Sequence, residues 1–216
     1  VLWFSNTPAL GAEQLNKNNI IKGTGGWMYS LNKSLQDRVE LSIAFHYPYK
    51  KEPFKYQQSK YYPVFTGNII IENLKKRIFG KVYDTDFLPQ YQQIIEKVKP
   101  DIIHIHGSEN SFLCLISKTA IPIVVSIQGN LTVYNHKFLS GFHGKYIHTK
   151  YKGLNLKGLL FGRYSFRKGF VNMKKMSVVE KKQLQQAKHG IGRTDWDKRI
   201  SRILAPNSRY CRGNEV

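Results

Sequence analysis

The segment Lys99–Leu113, KPDIIHIHGSENSFL, decides the fold that the sequence predicts. Pro100 ends a helix and begins an apolar strand over Asp101–His106, which stops at Gly107. A second helix is expected over about Ser111–Thr119. A short apolar strand between two helices is typical of a buried strand in a parallel sheet.

The same alternation of strand and helix continues along most of the chain. Further strands are predicted over Val1–Ser5, Val39–Tyr47, the run IPIVVSIQG at 121–129, and Gly190–Gly192. Further helices are predicted from Met28 through Leu31 and Leu35, over Thr85–Lys99, and from Ser177 to about His189, where Ser177 and Glu180 form a capping-box pattern. The charged, aromatic stretch Pro48–Pro63 is predicted to be an exposed excursion. The sequence therefore predicts one α/β domain over residues 1–216, a Rossmann-like open parallel sheet flanked by helices.

The composition limits the class of partner. The 216 residues include 34 Lys+Arg against 14 Asp+Glu, a formal net charge of +20, which indicates an anionic partner such as phospholipid, nucleic acid or a phosphorylated substrate. Two cysteines without a CxxC pattern indicate neither a disulfide framework nor a zinc cluster. No apolar run approaches the roughly 20 residues that a membrane-spanning helix needs.

Ligands of open α/β sheets bind beyond the carboxyl ends of the strands, and this rule selects four places in the chain. The first is the GTGG loop with Gly25 and Gly26, which precedes a helix and is either a flexible turn or a loop that approaches a phosphate or a sugar. It is not a dinucleotide fingerprint, because Met28 stands where the third glycine belongs, and it lacks the G-K-[ST] ending of a P-loop.

The second place is the strand end HIHGSE. His104 and His106 are two residues apart and therefore point to the same face of the strand, but spacing suggests no third metal ligand, so no metal is expected. His106 ends the strand and is the candidate catalytic residue that enters the crevice, whereas His104 is predicted to be a hydrogen-bonded core residue. Glu109 is either a structural cap or a carboxylate that binds a hydroxyl group.

The other two places follow later strands. In SIQGN, Gln128 and Asn130 flank a glycine, and their amides suit either a polyol or loop capping. In GRTDWD, Arg193 and Asp195 suit a sugar or a phosphate. The alternative there is an Asp-capped helix with a buried Trp196.

A basic and aromatic segment, Lys150–Lys182, has ten Lys/Arg and a single acid, Glu180. Such alternation suits contact with an anionic membrane surface. The same charge would suit a nucleic acid, but no reader motif appears, so no nucleic-acid partner is expected. A solvated loop is the remaining alternative.

Taken together, these motifs resemble the N-terminal half of a GT-B glycosyltransferase of the retaining family-four group common in bacterial surface-polysaccharide pathways. The resemblance rests on five segments in order: GTGGWMYSL, KPDIIHIHGSE, VSIQGN, IGRTDWDKRI and NSRYCRGNEV.

The resemblance implies a two-domain enzyme that transfers a sugar from a nucleotide-sugar donor to a polysaccharide or lipid-linked glycan acceptor. It implies metal-independent catalysis without a cofactor, with His106 facing the reacting sugar and the Gly25–Gly26 loop near the donor diphosphate or the acceptor. The nucleotide-sugar domain would lie beyond residue 216, so residues 1–216 alone are expected to be inactive. The protein is expected in the cytoplasm, peripheral on the inner membrane.

Two other functions compete with this interpretation. A nucleotide-binding Rossmann enzyme such as an oxidoreductase is disfavoured by the glycine spacing and by His46 and Tyr47, which stand where an acidic ribose ligand belongs. A basic nucleic-acid-binding module is disfavoured by the missing reader motifs.

Overall fold

A computed structural model of the chain describes residues 1–15, 26–67, 85–141 and 166–213. Eight described strands form one sheet in the order β3-β4-β2-β1-β5-β6-β7-β8. The strands are β1 Leu2–Ser5, β2 Ser42–Tyr47, β3 Phe54–Tyr56, β4 Ser59–Phe65, β5 Ile103–His106, β6 Ile123–Ser126, β7 His189–Gly192 and β8 Arg209–Arg212. All neighbouring strands are parallel except β3 and β4, which form an antiparallel hairpin. The predicted Rossmann-like α/β fold is confirmed.

Helices connect these strands. They are α1 Ala12–Leu15, α2 Gly26–Leu35, α3 Leu88–Val98, α4 Leu131–Lys137, α5 Phe166–Leu184 and α6 Asp195–Leu204, with 3-10 helices at Ala9–Gly11, Thr85–Phe87 and Ser111–Ser117. None of the helices in the described ranges is long and apolar enough to cross a membrane.

Alternating side chains of the central strands enter two separate cores. Leu2 and Phe4 belong to the larger core, which includes residues of β5, β6, α3 and the Ser111–Ser117 helix. Trp3 belongs to the smaller core, together with Met28 of α2. Because neighbouring residues of a strand point to opposite faces, β1 is buried on both sides, which explains its continuous apolar sequence.

The prediction that Pro48–Pro63 is an exposed excursion is wrong, because most of β3 and β4 lies within it. Tyr61 is fully buried, and its hydroxyl group donates a 2.7 Å hydrogen bond to Asn32 Oδ1 of α2. The ring of Phe54 stacks on Tyr61 at 5.1 Å. The charged residues of the hairpin, such as Lys60, point to solvent, so charge alone was a misleading sign of a loop.

The helix predicted to begin at Ser177 already includes Phe166, eleven residues earlier. The Ser177 hydroxyl group donates to the Lys174 carbonyl oxygen, 2.8 Å away within the same helix, and caps nothing. A true capping box lies at the start of α6, where the Thr194 hydroxyl accepts from the Asp197 amide and the Asp197 carboxylate accepts from the Thr194 amide.

Candidate functional site

The carboxyl ends of β1, β5 and β6 meet at one edge of the sheet, and we call this edge the rim. Within the ladder, Phe4 pairs with Ile105, and His106 pairs with Ser126. The chain leaves β5 at Gly107, whose φ of +91° favours glycine. A Cβ atom there would lie 2.6 Å from the Glu109 carboxylate, so Gly107 lets Glu109 fold back over the strand end.

His106 lies beneath the rim, only 3% exposed. Its ring centroid is 4.6 Å from that of Trp3, 5.4 Å from that of Trp27 and 3.9 Å from that of His104. Neither ring nitrogen has a hydrogen-bond partner among the described residues. Burial, with a further contribution from His104, lowers the pKa of His106 well below its ordinary value, so the imidazole is neutral at neutral pH. The partly buried Trp27 ring of α2 is one of the groups that shield this imidazole.

His104 lies on the same strand face as His106, as the spacing predicts. Its Nε2 atom is 2.7 Å from the Ser126 hydroxyl oxygen, so it is a hydrogen-bonded core residue. Burial lowers the pKa of His104 to about 4.

Glu109 presents a carboxyl group at the rim. The Asn6 side chain donates to its Oε1 atom at 3.3 Å, while Oε2 is buried and has no partner among the described residues. Burial raises the pKa of Glu109, and the charge of Glu180 adds to that rise. The following 3-10 helix has Asn110 at its N-cap, so Glu109 does not occupy the predicted capping position.

The two predicted amides after β6 differ in their surroundings. Asn130 is fully buried, and its Oδ1 atom accepts from the Val133 amide at 2.9 Å, so it caps α4. Its Nδ2 atom, like Nε2 of the partly exposed Gln128, is buried without a partner among the described residues. Gln128 is therefore the better placed of the two to meet a ligand.

The remaining predicted residues lie around this centre. Gly26 opens α2 and is exposed, with no atom within 4 Å of the position that a Cβ atom would take, while Gly25 lies outside the described residues. Arg193 and Asp195 follow β7, two strands from β5, and both are exposed. Asp195 forms a 3.6 Å ion pair with Arg212. The alternative for this segment is half right: a helix with Asp197 in its capping box is present, but Trp196 is 44% exposed and not buried.

Three further residues of the site were not predicted from the sequence. Asn6 directly follows β1, so the strand-end rule would have found it. Tyr134 is 50% exposed, and a Cβ atom on Gly129 would lie 3.4 Å from its ring and 4.0 Å from Glu109 Oε2. The tyrosine ring and the carboxyl group therefore border the same space. Trp27 covers His106 because α2 packs across β1, a tertiary contact without a local signal.

The rim has hydrogen-bonding groups that the described residues leave unused. It offers a carboxyl oxygen and an amide without partners among the described residues, beside a half-exposed aromatic ring. Within the described ranges, no three His, Cys, Asp or Glu side chains come together as a metal site.

No curated protein is significantly similar to the chain. Residues 64–157 match a family model described as glycosyl transferase 4-like. The match covers fewer than half of the 216 residues, but it includes β5, β6 and α4, and hence Glu109, Gln128 and Tyr134. This similarity, in the segment that forms most of the rim, supports a glycosyltransferase.

Proposed function

We propose that the chain is the acceptor-side domain of a glycosyltransferase that moves a sugar from a nucleotide-sugar to a polysaccharide or lipid-linked glycan. The observation that carries this proposal is the Glu109 carboxyl group, whose Oε2 atom is buried without a partner among the described residues and borders the space beside Tyr134. A buried polar atom without a partner is costly, so a ligand hydroxyl group that supplies the missing hydrogen bond is favoured.

We propose a role for each residue, and its position supports that role. Glu109 and Gln128 bind hydroxyl groups of the acceptor, and Tyr134 packs its ring against the apolar face of a sugar. His106 faces the reacting sugar as a neutral imidazole, able to donate one hydrogen bond and accept another, once Trp27 moves. Arg193 is a cation at the same edge of the sheet and suits the donor phosphates.

The finer mechanism rests on the family resemblance. We propose retention of configuration, metal-independent transfer and a nucleotide-sugar site formed mainly by a second α/β domain. On this view the rim is one wall of a cleft, and the Gly25–Gly26 loop borders it. Surface-polysaccharide synthesis in a bacterium is the setting that the resemblance suggests.

We also propose that α5 brings the protein to an anionic membrane surface. The exposed face of this helix has four lysines, Lys174, Lys175, Lys181 and Lys182. Between and beside them lie Val171, 41% exposed, and Val178, 64% exposed. Lysines around exposed apolar side chains suit a lipid interface, where a lipid-linked acceptor would be found. The part of Lys150–Lys182 before residue 166 lies outside the described residues.

A transfer assay tests the proposed function. The intact gene product is incubated with labelled nucleotide-sugars and membranes that contain lipid-linked glycans, and the product is separated by chromatography. Loss of a hydrogen bond to a charged group costs about 1.5–3 kcal/mol, so Glu109→Gln should lower kcat/KM for the acceptor at least about tenfold. Glu96→Gln, at an exposed position of α3, is the matched control. Equal activity of the Glu109 and Glu96 variants would refute the role of Glu109, and no transfer from any nucleotide-sugar would refute the function.

A further inference from the structure

Glu180 is a fully buried carboxylate near the C-terminal end of α5, and the strand-end rule does not point to it. It accepts four hydrogen bonds. The donors are the Ser108 hydroxyl at 2.5 Å, the Leu131 amide at 3.1 Å, the Thr132 amide at 2.7 Å and the Thr132 hydroxyl at 2.8 Å. Both carboxylate oxygens are used, and the two backbone amides can only donate to them. Each hydroxyl group has one proton and a second acceptor nearby, the Gly129 carbonyl for Ser108 and the Ser177 carbonyl for Thr132.

These donors belong to two different loops of the rim. Ser108 lies between Gly107 and Glu109 in the loop after β5, whereas Leu131 and Thr132 follow the loop after β6 and open α4. The Ser108 hydroxyl oxygen is also 2.8 Å from the Gly129 carbonyl oxygen, so the two loops touch directly beside the carboxylate. One side chain from a third element therefore holds both loops.

We propose that Glu180 is a positioning residue for the rim: it fastens the loops that carry Glu109 and Gln128 to each other and to α5. The importance of this role for sugar transfer rests on the proposed function. The effect of Glu180 on the two loops does not depend on it. Sites held by a surrounding shell of hydrogen bonds keep the geometry that ligand binding requires, and a loosened shell lowers affinity without removing any group that touches the ligand.

Because Glu180 is close to Glu109, the pKa of Glu109 reports on its charge, which a purely structural residue would not affect. Burial raises the pKa of Glu109, and the neighbouring negative charge of Glu180 raises it further, while the amides of Glu109 and Ser108 and the side chain of Asn6 lower it. Replacing Glu180 by glutamine removes the charge, so the pKa of Glu109 should fall.

The test uses NMR on the chain with Glu180→Gln. We expect the titration midpoint of the Glu109 carboxyl carbon to move to lower pH, and hydrogen exchange of the Leu131 and Thr132 amides to accelerate about tenfold or more. Glu180→Asp keeps the negative charge, so the Glu109 midpoint in this variant should stay close to that of the unsubstituted chain. The matched control is Asp197→Asn. Asp197 is also a buried carboxylate that accepts from two backbone amides, but it lies in α6 and its donors lie in the loop after β7. This control should leave the Glu109 midpoint in place.

A milder variant keeps the inference testable if Glu180→Gln does not fold. Ser108→Ala removes the link between Glu180 and the β5 loop and leaves the α4 amides bound. It should accelerate exchange of the Glu109 amide while Leu131 and Thr132 stay protected. An unchanged Glu109 midpoint in folded Glu180→Gln, or unchanged exchange in Ser108→Ala, would overturn the inference. The NMR measurements need no sugar, so they can refute the role of Glu180 whether or not the transfer assay supports the proposed function.

Discussion

The imidazole of His106 is enclosed by the rings of Trp3, Trp27 and His104 at the end of β5. Such an environment favours the neutral form, because a charged ring would lose its hydration without gaining a counter-ion among the described residues. The same holds for His104, whose Nε2 atom is bonded to the neutral Ser126 hydroxyl. The two rings therefore make folding sensitive to acid.

We predict that the free energy of unfolding decreases as the pH falls from about 6.5 to about 4. Both histidines have lowered pKa values in the folded state, about 4 for His104, whereas an exposed imidazole titrates near 6.5, so the unfolded chain binds more protons in this range. The slope is about 1.4 kcal/mol per pH unit for each histidine. Glu109 opposes this slope, since its pKa is raised on folding.

Urea unfolding between about pH 7 and about pH 5 measures this slope. His106→Leu should make the dependence shallower, because it removes one of the two buried groups. His136→Gln, at an exposed position of α4, should leave it unchanged. A wild-type free energy that is constant over this range would contradict the prediction.

In α3, the spacing of apolar residues in the sequence agrees with the packing of the helix in the structure. Its residues Tyr91 and Ile95 enter the larger core, as the helical spacing predicts. It ends at Lys99, which has a φ of +48° and donates its amide to the Ile95 carbonyl oxygen. A left-handed residue after the last turn is the usual C-terminal cap, but glycine is the residue that adopts it without strain.

We predict that Lys99→Gly stabilises the protein by a few tenths to about 1 kcal/mol. The left-handed conformation costs a non-glycine residue about 1–2 kcal/mol, and the greater conformational entropy of glycine in the unfolded chain offsets part of that difference. Thermal unfolding measures the difference. Lys97→Gly, at an exposed position in the last turn of α3, should instead destabilise by up to about 1 kcal/mol. Destabilisation by both substitutions to the same extent would show that the cap conformation is not strained.

In the molecule as a whole, the rim and the exposed lysines of α5 lie on different surfaces. The rim lies at the carboxyl ends of β1, β5 and β6, whereas the lysines of α5 lie on the face of that helix opposite to Glu180. If α5 holds the rim and docks on lipid as proposed, one helix connects the acceptor site to the membrane surface.

We predict that the protein floats with liposomes that contain anionic lipid and not with neutral liposomes. Each lysine near an anionic surface contributes about 1 kcal/mol, so replacing Lys174, Lys175, Lys181 and Lys182 by glutamine should weaken binding at least about a hundredfold. The control replaces four exposed lysines elsewhere, Lys33, Lys55, Lys97 and Lys118, and has the same net charge. Equal loss in both variants would mean that only total charge matters, and α5 would then not be the docking surface.

The sequence by itself determined the α/β class and the central strands, and it selected the strand ends at which the proposed site lies. These features follow from local physics: buried parallel strands are continuously apolar, and the apolar run of β5 stops at Gly107. His104 and His106 were placed on one face for the same reason, since side chains of a strand alternate.

Only the tertiary structure decided which polar residues have partners. Ser177 and Glu180 match a capping box in sequence, yet they lie inside a long helix, and Glu180 binds Ser108 and Thr132 across the molecule. Likewise, Tyr61 belongs to a charged stretch but is buried against Asn32. Hydrogen bonds between residues distant in sequence have no local pattern, because the free energy of a buried polar group depends on what the fold brings within about 3 Å of it.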